Sequence, residues 1–224
     1  MTHMLDILNN LDGQIYLFFN GMHSAFFDHF MMIYTGRFVW VPMYAALLFV
    51  VMRNCGWRKG VVAVLCTVLV IVLADQVCGH LLRPNIARLR PSHPDNPISA
   101  LATLVNDYRG GTYGFPSCHA ANSFGLAMFM SLLLRSRRAT WFIFLWAAVN
   151  SYSRLYLGVH YPGDLLVGTV FGLLFGALCY YIYKAIPVEG EYCDRPLYKK
   201  IHTGDVFIIT GVATVVVIAL ISAV

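Results

Sequence analysis

The chain has 224 residues, of which 58% are apolar and only 12% are charged, and its formal net charge is +5. Its mean hydropathy is +0.65. Soluble domains carry about 25% charged residues, so this composition excludes an ordinary soluble globular protein. It also excludes an intrinsically disordered chain, which would need low hydrophobicity and high net charge. The length suits one compact domain.

Apolar segments long enough to cross a bilayer recur along the chain. A span needs about 20 mostly apolar residues, because the hydrocarbon core is about 30 Å thick and a helix rises about 1.5 Å per residue. The predicted fold is therefore all-α, a polytopic membrane helical bundle of about six transmembrane helices. The six candidate spans lie at 38–53, 60–82, 116–135, 139–157, 162–185 and 204–223.

Residues 1–36 form a separate predicted region ahead of the first span. Two shorter amphipathic stretches between residues 4 and 35 combine acids with aromatic residues, which is typical of helices that lie in the membrane interface. The alternative, in which one of them spans the membrane, stays open. Because Asp6 and Asp12 lie near the start and no basic segment precedes an apolar core, no cleaved leader is expected. The transmembrane domain is assigned to 37–224, with its core at 60–185.

The basic residues near the ends of the spans predict the orientation of the bundle, since cytoplasmic loops are enriched in Lys and Arg. The larger basic group is expected on the cytoplasmic side, which places the 83–115 loop, the 158–161 turn, the N-terminal helices and the C-terminus outside. The cytoplasmic group consists of Arg53, Arg58, Lys59, Arg135, Arg137, Arg138, Lys184, Arg195, Lys199 and Lys200. The outer group consists of Arg37, Arg83, Arg88, Arg90, Arg109 and Arg154.

Six cysteines are scattered along the chain without a Cys-x-x-Cys pair, and several lie inside apolar runs. This pattern favours neither a zinc site nor a disulfide framework. Most of these side chains are expected to be small buried apolar groups. They are Cys55, Cys66, Cys78, Cys118, Cys179 and Cys193.

The first polar segment on the outer side runs from Arg83-Pro84 to Arg90-Pro91, at the end of the second span. Because Pro84 is disfavoured inside a helix but suits a helix start, we expect a break at Arg83 and a short new helix to Arg90. The seven-residue spacing then points Arg83 and Arg90 the same way. Two guanidinium groups that converge near a membrane surface suit a phosphate group.

The second polar segment, 115–119, begins the third span. Pro116 at the first helical position would leave the backbone amides of Ser117, Cys118 and His119 unpaired, which makes an anion site. The Ser117 hydroxyl adds a further donor. His119 is placed to give a proton to a leaving oxygen.

The third polar segment runs from Ser153 to Asp164. Pro162 marks a helix start, so His160 lies just before the fifth span and Asp164 lies in its first turn. The carboxylate can then accept one imidazole N–H and leave the other ring nitrogen free as a nucleophile or base. Arg154 supplies a third guanidinium group.

Each segment has an ordinary explanation when taken alone. An Arg-Pro pair after a span is commonly an interfacial anchor, a Pro-Ser start is commonly a helix cap, and a His-x-x-x-Asp spacing is commonly a structural pair. Three arginines, two histidines, an aspartate and a helix N-terminus on one side of a membrane are hard to explain by packing. The combination predicts an anion site that also holds catalytic groups.

The three segments together resemble the signature of the type 2 phosphatidic acid phosphatase superfamily. That signature has a basic residue, six positions and Arg-Pro, then Pro-Ser-Gly-His, then Ser-Arg, five positions, His, three positions and Asp. Residues 83–91, 116–119 and 153–164 match it in order and spacing. Two positions depart from it, because Arg83 stands where the family has Lys and Cys118 stands where it has Gly.

The resemblance implies a metal-independent phosphatase that needs no cofactor. His160 would attack phosphorus and form a phosphohistidine, Asp164 would orient the imidazole, and His119 would protonate the leaving group. The guanidinium groups and the helix N-terminus would supply the positive potential. The groups that would hold the phosphate are Arg83, Arg90, Ser117, Cys118 and Arg154.

The expected partners are a lipid phosphate substrate and membrane lipids, with no nucleic acid, and the oligomeric state stays open. The expected location is a bacterial inner membrane with the site facing outward. Undecaprenyl diphosphate, phosphatidylglycerophosphate, phosphatidic acid and the phosphates of lipid A are all compatible substrates. The alternatives are a lipid phosphotransferase on the same site, a vanadate-dependent haloperoxidase, a Cys118 thiol nucleophile, and a non-catalytic binder of anionic lipid.

Other polar residues have less definite roles. Asp75, Gln76 and His80 either support Arg83 or pair with a neighbouring helix. The 92–114 loop is a candidate lid or head-group reader. Three further histidines, His23, His29 and His93, are expected to be solvated.

Overall fold

A computed structural model describes residues 2–188 and 205–223. Within those ranges the regular elements are helices, with one isolated bridge between Leu89 and Tyr113. The all-α prediction is confirmed. The α-helices are α1 Thr2–Asn20, α2 Ala25–Tyr34, α3 Val41–Ala74, α4 Arg83–Ile86, α5 Cys118–Leu134, α6 Arg137–Tyr156, α7 Pro162–Ala185 and α8 Val206–Ser222. A π-helical segment covers Asp75–Leu82, and 3-10 turns cover Phe38–Trp40, Pro97–Ala100 and Val105–Asp107.

Helix α3 consists of two arms that fold back on each other. Gly56, in the middle of its range, has φ 71° and ψ 170°, a left-handed conformation that favours glycine. A Cβ atom added at Gly60 would lie 3.3 Å from the Cα of Met52. Eight residues of one straight helix would span about 12 Å, so the chain must reverse at Gly56. The predicted spans 38–53 and 60–82 correspond to these two arms.

The remaining predicted spans also fall on helices. The stretches long and apolar enough to cross a bilayer are Phe38–Ile86 and Pro162–Ala185, with mean hydropathies of 2.6 and 2.1 over their most apolar windows. Cys118–Leu134 and Val206–Ser222 are shorter apolar helices. Helix α6 is more polar, but its Asn150, Ser151, Ser153 and Arg154 side chains are buried inside the bundle.

The end of the second α3 arm differs from the prediction. Asp75–Leu82 is π-helical, and the Arg83 amide donates to the carbonyl of Cys78, five residues back. The helix then continues through Pro84 as far as Ile86. The predicted break at Arg83 is therefore wrong. Pro84 has no amide hydrogen to donate, and the wider π-helical turn directly before it lets the helix continue without that hydrogen bond.

Arg90 reaches the site on extended backbone. The helix ends at Ala87, which has a left-handed conformation with φ 50°. Residues 88–90 then leave the helix, and Leu89 forms the bridge with Tyr113. The predicted short helix to Arg90 is wrong, because the pairing with the segment around Tyr113 replaces helical hydrogen bonds.

Helices α5 and α7 approach each other closely enough for their backbones to touch. A Cβ atom at Gly168 would clash with the carbonyl oxygen of Ser117, and one at Gly172 would clash with that of Ala121. Small residues at such positions permit close helix packing inside a membrane. The Ser117 amide also donates to the carbonyl of Asp164 at 3.0 Å. The amino ends of the two helices are therefore fixed at the same level.

Helix α1 lies against this same end of the bundle and is amphipathic. One face contacts the 92–114 loop and the end of α6, because the buried Asn20 side chain donates to the carbonyls of Thr103 and Tyr156, each at 3.0 Å. Its other face is apolar and open. The large exposed side chains on that helix are Met4, Ile7, Leu8, Leu11, Ile15 and Phe18.

The cysteines agree with the prediction in part. Cys66, Cys78 and Cys179 are buried free thiols. Cys55 is buried as well, but it is disulfide-bonded, which the cysteine pattern did not predict. It ends the first α3 arm, next to the reversal, and is 3% exposed within the apolar core. Cys193 lies outside the described residues.

Candidate active site

His160 and Asp164 face each other at the amino end of α7, and each is 1% exposed. The imidazole Nδ1 of His160 lies 3.2 Å from Oδ2 of Asp164. The same oxygen accepts the Tyr161 amide at 3.1 Å, which caps α7. A carboxylate beside Nδ1 favours the tautomer that carries its proton there, so Nε2 keeps a lone pair.

Arg90 contacts that lone pair directly. Its Nη1 lies 3.0 Å from Nε2 of His160 and donates to the carbonyl of Val159 at 3.1 Å, while its Nε donates to the carbonyl of Tyr113 at 3.1 Å. A guanidinium group can only donate hydrogen bonds, so Nε2 must be the acceptor. Both neighbours of the imidazole therefore favour the same tautomer, with Nε2 as the potential nucleophile.

Two further arginines each keep an unused donor beside this group. Arg83 donates from Nη2 to the Cys118 Sγ at 3.0 Å. Arg154 donates from its two terminal nitrogens to Thr35 Oγ1 at 2.9 Å and to the Tyr108 hydroxyl at 3.0 Å. Within the part of the chain that the structure describes, the buried Nε of each of these arginines has no acceptor. Oxygens of a bound anion would supply those acceptors.

The start of α5 differs in detail from the prediction. The helix begins at Cys118, later than expected. Ser117 is its N-cap, because its hydroxyl oxygen accepts the Ala120 amide at 3.4 Å. The expectation that the Ser117 amide is unpaired is wrong, since that amide donates to the Asp164 carbonyl. The amides of Cys118 and His119 open the helix and have no carbonyl one turn earlier, so they can bind an anion.

His119 is half-buried at the mouth of a cavity of about 780 Å³, which it lines together with Arg83 and Cys118. The cavity continues between the two arms of α3 and α5, where its lining is mostly apolar. A lipid tail can occupy such a space while its head group lies among the arginines. The apolar lining includes Leu47, Leu48, Val51, Val64, Val68, Ile71, Leu126 and Met130.

Two charged residues that the sequence did not assign to the site support Asp164, Arg88 by direct contact and Asp12 through Arg88. Arg88 donates from Nη1 to Oδ1 of Asp164 at 2.9 Å and from Nη2 to Oδ2 of Asp12 at 2.7 Å. Oδ1 of Asp12 accepts the Gly163 amide at 2.8 Å. The available signals were weak, because Arg88 lies between two assigned arginines and Asp12 is one acid on an amphipathic helix far away in sequence.

The less definite polar residues are now placed. Asp75 accepts from Asn122 of α5 at 3.1 Å, so it pairs with a neighbouring helix. The 92–114 loop packs over the site, since its Asn96 donates to the Tyr161 hydroxyl at 2.9 Å. The prediction that His23 is solvated is wrong, because α2 brings Asp28 to 2.7 Å from its ring. In the same group His29 is exposed and His93 is half-buried.

The two departures from the family pattern contact each other, which predicts a coupled effect. Cys118 is helical, so no backbone strain arises there. We expect Arg83→Lys and Cys118→Gly each to lower kcat/KM, because each removes the Arg83–Cys118 contact. The double variant should lose no more than either single variant, because the contact is lost only once, which corresponds to a coupling energy of about 1 kcal/mol. A double-mutant cycle on phosphate release, with thermal unfolding as the folding control, measures this, and strictly additive losses would contradict it.

The electrostatics of His160 predict a pH effect. Burial, together with the charges of Arg90 and Arg154, lowers the pKa of His160 well below its usual value of 6.5. The imidazole is then neutral at physiological pH, so Nε2 carries its lone pair without prior deprotonation. Removing a neighbouring positive charge raises this pKa, because the imidazolium form is repelled less. Arg90 itself remains charged at neutral pH, since burial and nearby arginines lower its pKa only to about 10.

We therefore expect Arg90→Gln to move the acid limb of the kcat/KM profile to higher pH, in addition to lowering the rate. A phosphate group, the expected substrate, also ionises in this range, with a second pKa of about 6. That ionisation is common to the parent enzyme and the Arg90→Gln variant, so the difference between their pH profiles reports on the protein. Acid limbs that coincide would show that Arg90 does not control the charge of His160.

Comparisons with known proteins agree with this arrangement. The sequence profile of the PAP2 superfamily matches residues 64–187. The chain is 48% identical over 214 residues to a lipid A 4'-phosphatase of Bacteroides thetaiotaomicron, covering 94% of this chain and 95% of that protein. It is 34% identical over 183 residues to a lipid A 4'-phosphatase of Porphyromonas gingivalis, covering 82% of this chain and 75% of that protein.

The fold also matches a solved structure. The crystal structure of the transmembrane PAP2-type phosphatidylglycerolphosphate phosphatase from Bacillus subtilis superposes with a TM-score of 0.63 at 18% identity, covering 82% of this chain and 89% of that one. The relatives and the fold together define an integral-membrane lipid phosphatase. The chain belongs to the PAP2 superfamily.

Proposed function

We propose that this enzyme removes the 4'-phosphate of lipid A through a phosphohistidine formed on His160. The catalytic part of the proposal is carried by the neutral Nε2 of His160, which is held 3.0 Å from Arg90 among guanidinium groups with unused donors. The choice of substrate is supported by the relative with 48% identity over nearly its whole length. Proteins of that similarity align along the entire bundle, including the cavity beside the site.

Binding of the phosphate is the first step. Its oxygens accept from the buried Nε groups of Arg83 and Arg154 and from the opening amides of α5 at Cys118 and His119. Arg90 transfers its Nη1 hydrogen bond from the imidazole to the phosphate, which exposes the Nε2 lone pair. The Ser117 hydroxyl, which caps α5, adds a donor to a phosphate oxygen.

The chemistry then proceeds in two displacements. Nε2 of His160 forms a bond to phosphorus while the bond from phosphorus to the lipid oxygen breaks, and that oxygen takes a proton from His119. Asp164 stabilises the positive charge that develops on the imidazole. A water molecule next gives a proton to His119 and attacks phosphorus, which breaks the P–N bond and releases inorganic phosphate. The arginines stabilise the negative charge on the equatorial oxygens in both steps.

The placement in the membrane is part of the proposal. The predicted excess of Lys and Arg on the side opposite the site supports an outward-facing site in a bacterial inner membrane. The exposed apolar face of α1 supports an interfacial position for residues 1–36. The acyl chains of the substrate would enter the cavity between the α3 arms and α5 while the phosphate reaches His160.

The test is phosphate release by the purified protein in mixed micelles containing EDTA. The panel holds lipid A, undecaprenyl diphosphate, phosphatidylglycerophosphate and phosphatidic acid. We expect the highest kcat/KM with lipid A, loss of its 4'-phosphate in the product mass spectrum, and no dependence on added metal. A strict metal requirement, or a higher kcat/KM with another lipid, would contradict the proposal. A phosphorylated lipid acceptor with little free phosphate would identify a phosphotransferase instead.

A further inference from the structure

We propose that Asp12 and Arg88 are positioning residues of the active site, which act on the nucleophile His160 through Asp164. This inference rests on the proposed role of His160. It extends the catalytic machinery to α1, which lies outside the family match at 64–187. Four charged or polar groups form one continuous chain of hydrogen bonds, from Asp12 to Arg88, from Arg88 to Asp164, and from Asp164 to His160.

The geometry explains why Asp164 needs this support. Its Oδ2 is already engaged by His160 and by the Tyr161 amide, so Oδ1 is the oxygen that Arg88 holds at 2.9 Å. A carboxylate that is 1% exposed requires a charged partner to remain ionised. Arg88 supplies that charge and also fixes the plane of the carboxylate, because hydrogen bonds then reach both of its oxygens.

Asp12 in turn fixes Arg88. Its Oδ2 holds Nη2 of Arg88 at 2.7 Å, and its Oδ1 accepts the Gly163 amide at 2.8 Å in the first turn of α7. One carboxylate therefore joins the guanidinium group to the helix that carries Asp164. The Asp12 carboxylate leaves no room for a side chain at position 163, because a Cβ atom at Gly163 would lie 2.8 Å from Oδ2 of Asp12.

Two aromatic rings fix the orientation of the Arg88 guanidinium group. The centre of the Arg88 guanidinium lies 4.0 Å above the ring of Tyr161. Tyr16 of α1 packs against the same ring, with centroids 5.4 Å apart. Helix α1 thus contributes both the charged anchor and part of the packing, so its position is coupled to the orientation of the nucleophile.

The variants that test this role are Asp12→Asn, Arg88→Lys and Arg88→Ala. Asparagine keeps an oxygen for the Gly163 amide but loses the charge that holds Arg88. We expect kcat to fall about 10- to 100-fold in Asp12→Asn and Arg88→Ala, by less in Arg88→Lys, with KM changed less than about twofold. The matched controls are Asp95→Asn and Arg109→Gln on the outer loop, where these side chains are 84% and 44% exposed.

Chemical rescue separates positioning from folding. Arg88 also lines an open cleft of about 700 Å³ with Tyr161 and Asn96, so a small cation can reach the vacated site. Methylguanidinium should restore kcat of Arg88→Ala at least fivefold, and it should not restore His160→Ala. Unchanged kcat in Asp12→Asn and Arg88→Ala, or a loss confined to thermal stability without rescue, would overturn the inference.

The assays use an activated aryl phosphate as well as lipid A. If the parent enzyme hydrolyses the aryl phosphate but not lipid A, the proposed substrate is wrong while the role of Asp12 and Arg88 can still be measured. If lipid A is hydrolysed and the variants match the parent, the proposed function stands and the positioning role is excluded.

Discussion

His160→Ala is expected to lower kcat for lipid phosphate hydrolysis by about 10⁴-fold or more, because in the proposed mechanism the imidazole supplies the nitrogen that attacks phosphorus. Arg90 and Asp164 both orient this imidazole, the first through a contact to Nε2 at 3.0 Å and the second through Nδ1 at 3.2 Å. The binding groups remain in the variant, so KM should change little. Initial rates of phosphate release measure both constants.

The control for His160→Ala is His93→Ala, which removes an imidazole from the 92–114 loop. The His93 ring lies 3.8 Å from the exposed Asp95 and has no contact with the proposed reacting groups among the described residues. This variant should keep the parent rate. A folded His160→Ala protein that releases phosphate within tenfold of the parent rate would show that another group is the nucleophile, with the Cys118 thiol as the first to examine.

His119→Ala is expected to lower kcat with lipid phosphates by about 10²- to 10⁴-fold, which is the usual contribution of a positioned general acid. A sugar or alcohol oxygen leaves as a strongly basic alkoxide unless it receives a proton. An activated aryl phosphate has a much less basic leaving group and does not need that proton. The loss in His119→Ala should therefore be far smaller with the aryl phosphate.

The comparison of the two substrates in one variant is the control for folding and binding, since damage to the site would reduce both rates together. Equal losses with lipid A and with the aryl phosphate would assign His119 to phosphate binding rather than to proton transfer. His160→Ala, unlike His119→Ala, should show a large loss of kcat with both substrates.

Much of the bundle could be predicted from the sequence because apolar length is a strong signal in membrane proteins. The spans at 38–53 and 60–82 follow from composition, and Gly56 between them provides the reversal that the structure shows. The π-helical segment Asp75–Leu82 could not be predicted, since the same residues are compatible with an ordinary helix. It depends on how Pro84 is accommodated once the helix is packed.

The candidate site was predictable where short spacings on one element determine geometry. His160 and Asp164 are four residues apart at a helix start, and that spacing alone brings Nδ1 to the carboxylate. Asp12 and Arg88 were not predictable, because 76 residues separate them and only tertiary packing brings them to 2.7 Å.

The expectation for the Ser117 amide was also wrong. Pro116 indicated a helix start, but the true start depends on the contact between α5 and α7. The Ser117 amide is used in that contact, which no local pattern reveals. The hydroxyl of the same residue caps the helix, as a serine in that position commonly does.

The most direct measurement is detection of the phosphorylated enzyme during turnover. Purified protein is mixed with lipid A, quenched at alkaline pH to preserve an acid-labile P–N bond, digested, and analysed by mass spectrometry. The proposed mechanism predicts one phosphate on the peptide that contains His160, which is absent in His160→Ala and disappears when the substrate is exhausted. Full turnover with no phosphate on that peptide, or with phosphate on another residue, would contradict a phosphohistidine at His160.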